Sequence, residues 1–186
     1  MDSLSNRERN NALNEVRILA SIDHANIVQY KEAFTDQQKY LCVVMEFADD
    51  GDLYQKITEH RKKKMRFEER QVWRILIAIV KGLYQLHNMS ILHRDLKSAN
   101  VFLYSDDGGP QTEVAKLGDL NVSKLAKQGL LYTQTGTPYY ASPEVWKDQP
   151  YDSKSDVWSL GCVCYEMCAL VPPFRAENMD GLFKKV

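Results

Sequence analysis

From Phe67 to Asn88, apolar residues return every three or four positions, at Val72, Ile75, Leu76, Ile79, Val80, Leu83 and Leu86. That period is helical and predicts one long helix with a broad buried face. A second helical pattern opens the chain. Leu13, Val16, Leu19 and Ala20 share a face, and Ser5 with Glu8 makes an S-x-x-E capping box ahead of them. A helix from about Asn6 to Ser21 is expected there. "NIVQYKEAF" and "YLCVVMEF" are β-rich runs separated by the polar "TDQQK", which predicts two antiparallel strands and a short loop. "ADDGD" breaks the pattern, and a short helix is expected from Leu53 to Glu59. The basic run "HRKKKMR" then reads as a solvated loop.

Further along, "ILHRDLKSANVFLY" has β-like ends around a polar centre, and "SDDGGPQT" is a turn by composition. "VAKLGDL" predicts a short strand running into a loop, followed by a polar segment rich in Thr, Gly and Tyr up to Pro143. Ser155–Leu170 is a second apolar helix, stopped by Pro172 and Pro173. "AENMDGLFKKV" begins another.

Composition narrows the class. The chain has 186 residues, enough for one domain with a real core. Its net charge of -1 gives no global pull toward nucleic acid or anionic lipid, and no basic recognition helix is present, so a DNA-binding domain is set aside. Cys42, Cys162, Cys164 and Cys168 have no clustered His or further Cys to complete a metal set, and read as reduced core thiols. The polar N-terminus is not a signal peptide, and "ILIAIV" is too short to span a bilayer. With no targeting signal, cytoplasm is the expected location.

Single fragments carry little chemistry. Asp95 and Asn100 alone suit a structured turn, Asp119 a loop cap, and "TPYY" any turn. Their order is more informative: "VVMEFADDGDL", "HRDLKSAN", "GDLN", "GTPYYASPE" and "SDVWSLG" follow one another behind a helix bearing Glu15. This series resembles the signature set of protein kinases over essentially the whole chain. Locally, "ALNEVRILASI", "MEFADDGDLYQKI", "TGTPYYASPEVW" and "SLGCVCYEM" resemble the NIMA-related serine/threonine kinases.

The resemblance implies an α+β, protein-kinase-like fold. Residues 1–45 would form a partial N-lobe, 46–52 the hinge, and 53–186 a mainly helical C-lobe truncated at its end. Within the C-lobe, 93–100 would be the catalytic loop and 119–144 the activation segment. It also implies ATP and Mg²⁺ as cofactors and Ser/Thr hydroxyls of proteins as acceptors. Asp95 would orient the acceptor hydroxyl and Lys97 would face the transferring phosphate. Lysine at that position suits Ser/Thr more than tyrosine kinases. Asn100 and Asp119 supply the oxygens that suit Mg²⁺. The C=O of Glu46 and N–H of Ala48 would hold adenine, with Met45 as gatekeeper, Phe102 as floor and Asp52 near the ribose. Glu15 matches the glutamate that pairs with a strand lysine.

Leu19, Tyr30, His93 and Leu120 match the side chains stacked between lobes, so His93 reads as a packing and hydrogen-bonding residue. Asp156 matches the aspartate that holds the catalytic loop. Thr137 would position the substrate. Thr133 and Thr135 are candidate phosphosites whose phosphate could pair with Arg94. Asn121 replaces the usual glycine after "DL", a modest stiffening. No glycine-rich phosphate loop or V-A-I-K-type lysine appears, and Glu144 is expected to lack an arginine partner. The chain is therefore expected to be a piece of a longer kinase, with weak or no phosphotransfer by itself. A catalytically inactive kinase-like interaction or scaffold module is the alternative, and cell-cycle, microtubule or ciliary roles follow by analogy only.

Overall fold

The computed structural model describes residues 6–38, 40–105, 113–120 and 138–186. The capping-box Ser5, the turn predicted over 106–112, Asn121, Thr133, Thr135 and Thr137 lie outside the described residues, as does the side chain of Glu15.

The elements run α1 (Asn6–Ala20), β1 (Tyr30–Thr35), β2 (Leu41–Met45), α2 (Leu53–Lys63), α3 (Glu69–Asn88), a 3₁₀ turn (Ser98–Asn100), β3 (Val101–Tyr104), β4 (Val114–Leu117), α4 (Pro143–Trp146), α5 (Ser153–Ala169) and α6 (Met179–Phe183). This is an α+β chain with few strands and a mostly helical second half. Both sheets are two-stranded and antiparallel, with Ala33 opposite Val43 in the first and Phe102 opposite Lys116 in the second.

The long helix α3 carries the core. Ile75, Ala78, Ile79, Gly82, Leu83 and Leu86 are buried along one side. Val80, expected on that face, is exposed instead. Each helical residue turns about 100°, so Val80 points well away from its buried neighbour Ile79. Gly82 explains how closely α3 can approach β4. A Cβ there would lie 2.7 Å from the Asn26 carbonyl oxygen and 2.9 Å from Leu117 Cδ1.

The first predicted strand also divides. Only its second half joins β1, while the first half docks on β4. Val28 N donates to Leu117 O at 2.8 Å, and Leu117 N donates to Asn26 O at 2.9 Å. Ile27, buried in the core, thus pairs alongside Leu117. This splice ties the β1–β2 hairpin to the β3–β4 hairpin.

The basic run is not all loop. Helix α2 extends through His60–Lys63, past the expected end at Glu59. Cations in a last turn complement the partial negative charge at a helix C-terminus. Lys63 also reaches Glu59 one turn back at 2.6 Å, and His60 stacks on Phe67 with ring centroids 4.2 Å apart. Lys64 closes the helix in the left-handed conformation, φ 54°. Helix α5 likewise begins earlier than expected, because Asp152 caps it in a box with Ser155.

The four cysteines are free thiols, with Cys162 buried and Cys168 exposed, so the core assignment does not hold for Cys168. Burial, with the nearby Glu166 carboxylate, pushes the Cys162 thiol up to about 11. Among the described residues, no helix is long and apolar enough to cross a membrane.

Candidate active site

The loop from His93 to Asn100 leads from α3 into β3, and Asp156 on α5 holds its start. Asp156 is fully buried and accepts hydrogen bonds from four donors. The backbone N–H groups of His93 and Arg94 each lie 3.0 Å away, the Tyr151 hydroxyl 2.5 Å and His87 Nε2 2.8 Å. Arg94 sits at φ 65°, a conformation unusual for a side-chain-bearing residue and fixed here by that anchor.

His93 is wholly buried, and neither ring nitrogen has a partner among the described residues. Burial lowers its pKa, against the pull of Asp156 and Asp95. It is a neutral packing residue. Its hydrogen bond runs through the backbone and not through the ring.

Beyond this anchor the acidic and polar groups converge. Lys97 Nζ donates to Asp95 Oδ2 at 2.9 Å. Asn100 Nδ2 donates to the Asp95 carbonyl at 2.9 Å. The donor half of the Asn100 amide is thereby spent inside the loop, leaving its carbonyl oxygen as the group for a ligand. Gly118 N donates to Asn100 O at 3.0 Å, which brings the end of β4 against the loop and sets Asp119 beside it. Asp119 is exposed at φ 51°, and among the described residues its carboxylate has no hydrogen-bond partner. An unengaged carboxylate next to an amide oxygen is a fitting donor pair for a hard cation, and Mg²⁺ typically takes only one or two protein oxygens.

The linker after β2 lies on β3. Leu103 N donates to Gly51 O at 2.9 Å, and Asp50 N to Leu103 O at 3.2 Å. Asp52 thereby bridges to Phe102 across the two segments. Phe102 packs on Gly118: a Cβ at that glycine would sit 2.5 Å from the phenyl ring and 2.9 Å from Val28 Cγ2. Among the described residues, the Glu46 carbonyl and Ala48 amide make no backbone hydrogen bond, so both edges are available to a planar heterocycle. Met45 ends β2, half-buried. Asp52 has a structural task, since its two carboxylate oxygens accept from Gln55 N at 2.9 Å and Gln55 Nε2 at 2.7 Å to cap α2.

Three interactions around this site had no signal in the sequence. The Glu46 side chain takes both Lys116 contacts, at 2.7 and 2.8 Å, and accepts from Gln29 N at 2.9 Å. It pins the linker to β4 and leaves the main chain for ligand. Lys116 Nζ also lies 4.6 Å from the centre of the Tyr104 ring. Lys56 reaches the buried Glu113, which also accepts from Gln71 Nε2 at 2.9 Å. Burial acts to lower the Lys56 pKa, but the Glu113 and Asp50 carboxylates outweigh it and raise it.

The third is Tyr140, whose hydroxyl donates to Glu166 at 2.7 Å and lies 3.0 Å from Ser98 Oγ. It connects the segment before α4 to the His93–Asn100 loop. Burial and the Glu166 charge push its phenol well above the ordinary range. Glu144, expected to lack an arginine partner, accepts from Ser155 Oγ. Burial acts to raise its pKa, and the hydrogen bond from Ser155, with its own backbone, holds it below the ordinary value.

Leu120 is buried in the core, and Leu19 packs against it from α1. Tyr30 is partly buried at the start of β1. Glu15 lies within α1.

A loop aspartate with a lysine two residues on, an asparagine after it, and an exposed aspartate beyond a short strand make up the residue pattern of the protein kinase class. The family model for the protein kinase domain matches residues 2–186, and the chain belongs to that family. Its relatives are NIMA-related kinases. It is 40% identical over 185 residues to mouse "Serine/threonine-protein kinase Nek1", covering 98% of this chain and 15% of that protein. It is 38% identical over 192 residues to human "Serine/threonine-protein kinase Nek2", covering 99% and 42%. It is also 38% identical over 190 residues to Dictyostelium discoideum "Probable serine/threonine-protein kinase nek2", covering 100% and 44%. The chain thus spans less than half the length of these relatives.

Proposed function

We propose that this chain serves Mg²⁺- and ATP-dependent transfer of a phosphoryl group to serine or threonine hydroxyls of proteins. The observation that carries the reading is the convergence of Asp95, Lys97, Asn100 and Asp119 on one loop and one strand end, held by Asp156. Bound Mg-ATP supplies the transferable group and the cation that offsets its charge.

The chain's own residues do the rest. Asp95 accepts or orients the acceptor's hydroxyl proton. Lys97 offsets charge on the transferring group. Asn100 and Asp119 hold the metal by their oxygens, while Glu46 C=O and Ala48 N–H hold the base above Phe102. Asp52, with its carboxylate committed to the α2 cap, shapes the ribose side through that helix start. Thr137 positions the acceptor, and Thr133 and Thr135 are the candidate sites of a regulatory phosphate that would pair with Arg94. Cytoplasm is the proposed location.

Isothermal titration of the 186-residue chain with ATP tests the binding half of this reading. One saturable site that requires Mg²⁺ is expected. No heat up to millimolar nucleotide with Mg²⁺ present would remove the proposal.

A further inference from the structure

Strand β4 turns Ala115 and Leu117 into the core, so the side chain between them, Lys116, faces the other way. On that side it meets the linker. Lys116 Nζ contacts both Glu46 carboxylate oxygens, at 2.7 and 2.8 Å, and lies 4.6 Å from the centre of the Tyr104 ring. Its cross-strand partner is Phe102, the proposed floor of the base site. The Lys116 and Glu46 side chains are only 19% and 17% exposed. A pair this shielded is screened little by salt, so it holds the backbone that carries it.

Glu46 is fixed at its other polar groups as well. Its N–H donates to Gln29 O at 2.9 Å, and Gln29 N donates back to Glu46 Oε1 at 2.9 Å. Among the described residues, its carbonyl alone makes no backbone hydrogen bond. That carbonyl is therefore an acceptor with a set direction. Burial and the Glu46 charge also push the Tyr104 phenol well above its ordinary range, which keeps a neutral ring beside the ammonium.

We propose that Lys116 is a positioning residue that sets the base specificity of the nucleotide site, acting through Glu46. The inference rests on the nucleotide-binding reading above. The adenine amino group donates to a carbonyl, and the ring nitrogen beside it accepts from an N–H. That order suits Glu46 C=O and Ala48 N–H. Guanine reverses it, with a carbonyl oxygen and then a ring N–H. A linker held still sets acceptor against acceptor and donor against donor, so guanine is rejected by the polar groups it leaves unpaired. Freed from Lys116, the linker peptide can turn, and the rejection weakens. Lys116 touches no part of the nucleotide; it acts on the direction of one carbonyl.

Isothermal titration of the 186-residue chain with Mg-ATP and with Mg-GTP reads this as a ratio of affinities. The wild type is expected to bind ATP at least about tenfold tighter than GTP. In Lys116→Met the two affinities should come within about threefold of each other. Glu46→Gln removes the same charge pair but keeps an oxygen for Gln29 N, and should do likewise. Lys116→Arg keeps the charge and offers a fork to both carboxylate oxygens, so it should hold the wild-type ratio. Partial unfolding lowers both apparent affinities by one factor and leaves the ratio alone, so the ratio separates positioning from stability.

A wild-type ratio in both Lys116→Met and Glu46→Gln overturns the inference, as does an equal loss in Lys116→Arg. A wild type that binds both nucleotides alike also overturns it, and leaves the phosphoryl-transfer reading intact. A wild type that binds neither removes that reading, and this inference with it.

Discussion

Asp119→Asn is expected to remove the magnesium dependence proposed for ATP binding. Asp119 is exposed, has no hydrogen-bond partner among the described residues, and lies next to the Gly118–Asn100 contact. Its charge therefore stabilises nothing visible in the fold and is available to a cation. Asparagine is the informative replacement. The backbone here is left-handed, φ 51°, which asparagine tolerates about as well as aspartate, so the loop geometry survives. Even residues that only support metal ligands typically cost about 10–100-fold in metal affinity when changed. Loss of a ligating carboxylate should cost at least that much. Titrations of ATP with and without Mg²⁺ should differ for the wild type and converge for the variant, at an unchanged thermal midpoint. A variant that keeps its full magnesium dependence would place the metal elsewhere.

Asp156→Ala is expected to be the most destabilising single substitution at the site. Four donors converge on this buried carboxylate, two of them backbone N–H groups, one belonging to the fully buried His93. Leaving buried donors unpaired costs about 1–3 kcal/mol each, so a total of about 3–5 kcal/mol is expected. For a chain of this size that lowers the thermal midpoint on the order of 10 °C. Arg94 would also lose the contact that holds its positive φ, so the catalytic loop should loosen before the rest of the domain unfolds. Thermal denaturation checks the first expectation and amide exchange at residues 93–97 the second. A midpoint within about 2 °C of wild type would show that the anchor is replaceable.

The sequence revealed most where information is local. The seven apolar positions of α3 and the spacing within "HRDLKSAN" are properties of contiguous residues, so the long helix and the polar loop before β3 could be read directly. Even there Val80 was misassigned, because counting in threes and fours does not fix the width of the buried arc. Residues 26–29 read as part of a single strand by composition. Their partner is β4, 89 residues on at the Asn26 side-chain bond to Ala115 O, 3.1 Å. The same holds for Glu46 with Lys116 and Lys56 with Glu113. Each is an ordinary surface-type residue until the fold buries it beside its counterpart. Asp52 was read for its nearness to a ligand, and its helix-capping task became visible only once Gln55 was placed. The end of α2 was missed for another reason. A cluster of cations reads as solvated loop, yet the C-terminus of a helix is electrostatically suited to it.

The account stands on phosphoryl transfer by the Asp95 cluster, and a single-turnover assay tests this most directly. The chain, in molar excess over γ-labelled Mg-ATP, is incubated with a mixture of serine, threonine and tyrosine peptides. Label is expected on serine and threonine, slowly, and not on tyrosine. Asp95→Asn should cut that transfer by about 10²–10⁴-fold while ATP still binds. If Asp95→Asn transfers label as well as the wild-type chain, the cluster is not catalytic and the account is wrong.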